Sequence, residues 1–144
     1  MSEENRELKD KIDEVLESSF GYVSNGVFLI DTLAQEFYQS PEEETWSKLG
    51  DLFEGIQWII LTVTQIDGIQ NSNRYINDPK AWGVYVQKVA ELKDVLEEME
   101  GALKSKDHVL VGDLLKYEVK TRFEGMNQAL SSLVEGEGED RDAH

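Results

Sequence analysis

The sequence predicts an all-α protein, folded as an antiparallel up-down-up-down four-helix bundle. Apolar residues recur every three or four positions in four long segments, which is the spacing of one face of a helix. Helix start and stop signals separate these segments, and no segment alternates polar and apolar residues as a half-buried strand does. Because the connections are short, consecutive helices are expected to run in opposite directions. At 144 residues, the chain can bury a core as one domain, predicted over residues 1–135.

The first predicted helix covers residues 3–39. Gly21 and Gly26 fall within it, and each costs up to about 1 kcal/mol relative to alanine, so the sequence allows a kink near them. Its apolar stripe consists of residues that follow one another at steps of three or four: Leu8, Ile12, Val15, Ser19, Val23, Val27, Ile30, Ala34 and Phe37.

The second predicted helix covers residues 41–72 and begins at a strong start signal. Ser40 is placed as the N-cap, Pro41 occupies the first helical position, and Glu43 is placed for a capping box. A polar turn, residues 71–77, ends this helix.

The sequence after residue 77 predicts two more helices and a tail. An Asp-Pro pair starts the third helix, residues 79–103, and Asp107 is placed to cap the fourth, residues 108–134. Residues 136–144 are acidic and contain glycine, so we expect a flexible tail there.

The charge of the chain restricts its partners. It has 30 acidic and 14 basic residues and a formal net charge of −16, so it is expected to repel phosphate backbones and anionic lipid headgroups. We therefore expect no nucleic-acid binding and no membrane binding. Two explanations of the acidity are open: it keeps the protein soluble, or it attracts a basic or amphipathic protein.

The sequence also predicts a cytoplasmic location. It contains no cysteine, which excludes disulfides and thiolate zinc sites and is compatible with a reducing compartment. The acid-rich residues 2–17 lack the order of a signal peptide, and the least charged interval of the second helix is too polar and too short to span a membrane.

Two helical intervals carry almost no charge although charged residues make up 31% of the chain. Residues 18–30 have none, and residues 55–73 have only Asp67. A helix with a solvent-exposed face normally carries charged residues on that face. The lack of charge in these two intervals therefore indicates burial on more than one face. The back of the first helical hairpin, here called the hairpin face, consists of Gly21, Asn25, Phe28, Thr32, Trp58, Leu61, Gln65 and Ile69.

Three interpretations of the hairpin face are open. Exposed Trp, Phe and Leu are typical of an interface centre, and symmetric homodimers are the commonest soluble assembly. Alternatively, the fourth helix or the loop after residue 70 covers this face within one chain, or the helix of a different protein docks there. Helices three and four differ from the first hairpin, because their outer faces carry charged residues.

The sequence predicts no catalytic residue, no metal site and no cofactor. The Glu-x-x-His pairs of di-iron bundles are absent, and His108 has no ligand-spaced partner. Serine-nucleophile and phosphate-binding loop motifs are also absent. Asp31, Asp67 and Glu118 lie on or beside apolar stripes and are candidates for buried acids. The alternative function is therefore a small-molecule sensor or an enzyme with a carboxylate-containing site between helices.

Two short segments resemble small uncharacterised helical proteins of Gram-positive bacteria. They are residues 46–58, WSKLGDLFEGIQW, and residues 107–118, DHVLVGDLLKYE. This resemblance implies no activity. In size, acidity and helix count the chain is also similar to flagellar and secretion export chaperones. The expected function is a non-enzymatic, protein-binding helical bundle, an accessory or chaperone-like factor that acts as a homodimer.

Overall fold

A computed structural model describes the backbone of residues 2–142 and the side chains of residues 2–134. Its described part is largely helical and has no strand, which confirms the predicted all-α four-helix bundle. A 3₁₀ turn, Ser72–Tyr75, follows the second helix, and a π-helical segment, Leu114–Val119, lies within the fourth. The α-helices are α1 (Glu3–Gln39), α2 (Glu43–Asp67), α3 (Pro79–Lys104), α4 (His108–Asp113) and α5 (Lys120–Asp142).

Contacts between α1 and the fourth helix run in opposite directions along the chain. The Ser24 hydroxyl donates to Asn127 Oδ1 at 2.7 Å, and the Tyr38 hydroxyl donates to Asp113 Oδ1 at 2.5 Å. Opposed pairs of contacts also join α1 to α2, through Tyr22 with Leu52 and Phe37 with Trp46. They join α2 to α3, through Asp67 with Trp82 and the groove that Phe53 shares with Leu103. They join α3 to α5, through Glu91 with Arg122 and Lys88 with Gly125. The four helices therefore alternate in direction around one core.

Two of the predicted helix caps are confirmed. The Asp78 carboxylate accepts from the Ala81 backbone N–H at 3.1 Å at the start of α3. The Asp107 carboxylate accepts from the Leu110 backbone N–H at 3.1 Å at the start of α4. Each side chain satisfies one of the backbone donors that the first turn of a helix leaves without a partner.

The predicted start of α2 is wrong by two residues, because α2 begins at Glu43. The backbone N–H of Ser40 donates back into α1, so Ser40 closes that helix and does not cap the next one. Glu42 is the N-cap, and its backbone N–H donates to Thr45 Oγ1 at 3.0 Å. At its other end, α2 stops at Asp67, earlier than predicted.

Gly26 allows α1 and α5 to approach closely. α1 runs through Gly26 as one helix, and a Cβ atom at this position would lie 2.6 Å from the Phe123 ring. Phe123 is fully buried in the core, so its ring has little room to move. The glycine is therefore explained by the packing of two helices and not by a turn.

Replacing Gly26 by alanine is expected to lower the free energy of unfolding by about 1–2 kcal/mol. An overpacking cost of about 1–3 kcal/mol exceeds the gain in helix propensity of up to about 1 kcal/mol. The matched control is Gly50→Ala in α2, where the added Cβ meets nothing within 4 Å. Urea denaturation should show the control to be stabilised by about 0.5–1 kcal/mol. Equal stabilisation of both variants would contradict a close contact at Phe123.

The π-helical segment explains an irregular core pattern in the fourth helix. Val111, Leu115, Val119 and Phe123 are all fully or almost fully buried and follow one another at steps of four. In an α-helix each such step advances about 40° beyond a full turn, so Val111 and Phe123 would point about 120° apart. A π-helical turn holds more residues than an α-helical turn. The π-helical segment Leu114–Val119 therefore accommodates one residue more than an α-helix would between Val111 and Phe123, and these side chains stay on one face.

The predicted end of the fourth helix at residue 134 is wrong, because the helical backbone of α5 continues to Asp142. The side chains of residues 135–144 lie outside the described residues, so the flexibility predicted for residues 136–144 stays a prediction. Within the described residues, none of the helices combines the length and the apolar character that crossing a bilayer requires.

Candidate protein interface

The hairpin face is largely exposed, except that Ile69, which follows the end of α2, packs against the core. Phe28 is 76% exposed, Leu61 53% and Trp58 40%. Gly21, Asn25, Thr32 and Gln65 are also exposed, and Ile69 is half-buried. The described part of the fourth helix and the loop after residue 70 therefore leave this face uncovered, which removes the interpretation that it is covered within one chain.

The structure separates the hairpin face into two parts. Tyr22 sets the register of the hairpin, because its hydroxyl donates to the Leu52 carbonyl at 3.2 Å and its ring lies against Gly55. Since the two helices are antiparallel, Trp58 lies to one side of this level and Phe28 lies to the other. At a rise of 1.5 Å per residue, they are separated by roughly 13 Å along the hairpin. Phe28 and Trp58 therefore lie on two separate parts of the hairpin face, and their joint role in one interface stays a prediction.

The first part lies on α2 and is here called the Trp58 patch. Its members are all exposed and carry no charge. Glu54 and Asp67, which are also exposed, lie at its two ends, so charged residues border an uncharged centre. The patch consists of Gln57, Trp58, Leu61, Thr64 and Gln65.

The second part belongs to an open groove between α1 and α5, here called the Phe28 groove. Its volume is about 680 Å³. The α1 side is mainly apolar, and the α5 side has small or uncharged polar side chains next to one acid. The lining residues are Phe20, Ser24, Val27, Phe28, Glu124, Asn127, Gln128, Ser131 and Ser132.

The sequence prediction missed the Phe28 groove, although a signal for it was present. Residues 125–134 form a further interval without charge. The pairing of Ser24 with Asn127 places this interval directly alongside residues 18–30 of α1. Two uncharged intervals from opposite ends of the chain thus form one surface, which only the antiparallel packing of α1 and α5 brings together.

None of the three candidate acids is buried, so that prediction is wrong. Asp31 is exposed, and its carboxylate lies 2.9 Å from Lys120 Nζ. Asp67 is exposed, and Glu118 is half-buried and paired with Arg122. Each lies at the edge of its apolar stripe, where a carboxylate reaches water or a neighbouring cation and avoids the cost of burial. The three acids also lie on different parts of the bundle.

Among the described residues, the acid that is buried is Asp13, which the sequence pattern did not indicate. Its carboxylate lies 3.2 Å from Lys9 Nζ. Lys9 also donates to Asn77 Oδ1 at 2.8 Å, and the Asn77 amide donates to the Leu133 carbonyl. This network joins α1, the loop before α3 and α5, so it stabilises one end of the bundle.

The titratable side chains of the described residues bear on the alternative enzyme or sensor function. Among them, no group of three or more His, Asp or Glu side chains could hold a metal ion. Burial, assisted by the hydrogen bond to Asp113, raises the pKa of Tyr38 to about 12, so this phenol stays protonated at neutral pH. Asp67 lines a groove of about 340 Å³ between α2 and α3, and no second carboxylate lines it. Glu118 shares Arg122 with Glu91 of α3, and in the described structure neither Asp31 nor Asp67 joins this pair.

Comparisons with known proteins identify a family without an assigned activity. No curated protein and no solved structure matches the chain significantly. The model of a family described as Domain of unknown function (DUF8042) matches residues 14–129, a region that contains the whole Trp58 patch and the α1 side of the Phe28 groove. An origin in Gram-positive bacteria stays a prediction. Because this match spans most of the 144 residues, the protein belongs to the family described as Domain of unknown function (DUF8042).

Proposed function

We propose that this protein is a non-enzymatic, protein-binding helical bundle that acts as a homodimer, in an accessory or chaperone-like role in the cytoplasm. The observation that carries the proposal is the Trp58 patch. Trp58 is 40% exposed and Leu61 is 53% exposed, and the exposed residues between Glu54 and Asp67 carry no charge. The lack of cysteine is compatible with a reducing compartment.

Electrostatics favours the Trp58 patch as the surface of self-association. Two copies with a net charge of −16 each repel one another over most of their surfaces. Close approach is least unfavourable where each copy presents no charge. In a symmetric dimer the same patch meets itself, so the indole of Trp58 and the side chain of Leu61 are buried on both copies. Burial of Trp side chains at the centre of an interface typically dominates its affinity.

Trp58→Glu is expected to convert a dimer into a monomer. Each dimer contains two copies of the substitution, and each places a desolvated carboxylate next to apolar side chains. A loss of about 2 kcal/mol or more corresponds to a dissociation constant raised roughly 30-fold or more. Sedimentation equilibrium should give twice 16.4 kDa for the wild type and 16.4 kDa for the variant at the same concentration.

The matched control is Val109→Glu, which introduces the same charge at an apolar α4 side chain that is 59% exposed. This variant is expected to remain dimeric, and far-UV circular dichroism should show all three proteins equally helical. A wild type of 16.4 kDa at a concentration of about 100 μM would refute the homodimer, since a specific interface is expected to bind well below that concentration.

A further inference from the structure

The Phe28 groove has the shape of a helix-binding site. Phe28 is 76% exposed and projects from α1 at the edge of the groove. At the opposite end of the groove, beside Phe20, lie Ser131 and Ser132 of α5, whose small side chains permit a backbone to approach. A groove between two antiparallel helices accepts the ridge of a third helix, with apolar anchors spaced at three or four residues.

The length of the groove sets the length of its occupant. Its lining residues on α1 extend from Phe20 to Phe28, which is about 12 Å along a helix, or somewhat more than two turns. An occupant therefore needs an apolar face of two to three turns.

The charges around the groove determine which kind of helix it accepts. Glu124 lines the groove, and the exposed Glu17 lies one turn before Phe20 on the same side of α1. Neither carboxylate lies within salt-bridge distance of a described cation. The nearby Lys120 is paired with Asp31 at 2.9 Å, and Glu124 contributes less than Asp31 to raising the pKa of Lys120. The unpaired charges at the groove are therefore negative.

We propose that the Phe28 groove binds an amphipathic helix of a partner protein, with lysine or arginine at both ends of an apolar face of two to three turns. A second copy of this chain fits less well, because it would add acidic residues to a groove whose unpaired charges are already negative. This inference rests on the proposed role as a protein-binding bundle. It concerns a different surface from the Trp58 patch, so the two can fail independently.

The first test measures binding of a defined probe. The probe is a fluorescein-labelled helical peptide of about 18 residues, with leucines along one face and two lysines at each end, and fluorescence anisotropy reports its binding. We expect micromolar affinity for the wild type and at least a tenfold loss in Phe28→Ser. Leu61→Ser, which removes an exposed side chain of the Trp58 patch, is expected to change the affinity less than twofold.

A second test separates the groove from general attraction to an acidic protein. The double variant Glu17→Lys, Glu124→Lys is expected to weaken peptide binding at least tenfold. Glu97→Lys, Glu98→Lys changes the net charge by the same amount on the exposed outer face of α3 and is expected to change binding less than threefold. A peptide with glutamate in place of lysine should not bind.

Three results would overturn the inference. The first is that the wild type does not bind the lysine peptide at 100 μM protein, a concentration far above the expected dissociation constant. The second is an equal loss of affinity in the two double variants, which would show general charge attraction. The third is that Phe28→Ser, and not Trp58→Glu, converts a dimer into a monomer, which would place a second copy in the groove. An unchanged mass in Trp58→Glu refutes only the proposed dimer interface.

Discussion

Deletion of Lys116 is expected to leave the protein folded, whereas deletion of Asp94 is expected to unfold it. Both side chains are exposed, so neither deletion removes core contacts directly. Lys116 lies in the π-helical segment, which contains the additional residue between Val111 and Phe123. Without Lys116, this segment can become a regular α-helix, and both flanking parts keep the same face toward the core.

Asp94 lies in the middle of α3, which is a regular α-helix. Its deletion rotates the two halves of α3 by about 100° relative to one another, because each residue of an α-helix turns by that angle. Leu92 and Met99 are both fully buried in the wild type, and after the deletion they would point in different directions. A bundle of this size has a free energy of unfolding of about 5–15 kcal/mol. Turning half of the buried side chains of α3 away from the core is expected to remove most of it.

Urea denaturation followed by circular dichroism compares the two deletions. The Lys116 deletion is expected to lower the free energy of unfolding by less than about 2 kcal/mol, the size of an ordinary substitution. The Asp94 deletion is expected to show no cooperative transition. If the Lys116 deletion variant also shows no cooperative transition, the proposal that this segment becomes a regular α-helix after the deletion is wrong.

Phe123→Ala is expected to lower the free energy of unfolding by about 3–5 kcal/mol, the range for large-to-small substitutions of aromatic core residues. Its ring is fully buried and lies against Gly26 of α1, so truncation leaves a cavity between α1 and α5. The matched control is Phe28→Ala, which truncates the same side chain at a position that is 76% exposed. This control is expected to change stability by no more than about 0.5 kcal/mol.

The two substitutions around this contact should also couple. In a Phe123→Ala background there is no ring for the Cβ atom at position 26 to meet, so Gly26→Ala should become neutral or stabilising. A thermal or urea denaturation cycle measures the difference. Strict additivity of the two changes would mean that the cost of alanine at position 26 has another origin.

The sequence was sufficient to predict local structure where a short-range signal exists. Asp78 and Asp107 were recognised as caps because an N-cap acts within three residues of itself. The N-cap of α2 was assigned wrongly to Ser40. Ser40 ends α1 and Glu42 begins α2, and the local sequence does not show to which of the two helices each residue belongs. The exposure of Trp58 and Leu61 on the outer side of α2 was also accessible from helical periodicity.

The burial of acidic side chains could not be predicted from helical periodicity, because it depends on the neighbouring helices. Asp31 was one of three candidates for a buried acid, but it lies at the surface with Lys120 of the fourth helix beside it. Asp13 was not singled out, yet Lys9 and the packing around it bury its carboxylate. Burial of a residue at the edge of a stripe depends on the side chains that the next helix presents, which helical angles alone do not contain.

By itself, the sequence determined the fold class, because the apolar spacing within each segment specifies which face of each helix avoids water. It also determined that the protein is strongly acidic and that its least charged helical intervals are exceptional. Only the tertiary structure decided that Phe28 faces α5 and is separated from Trp58. The physical reason is that the antiparallel register, set by contacts such as Tyr22 with Leu52 and Ser24 with Asn127, places distant residues side by side.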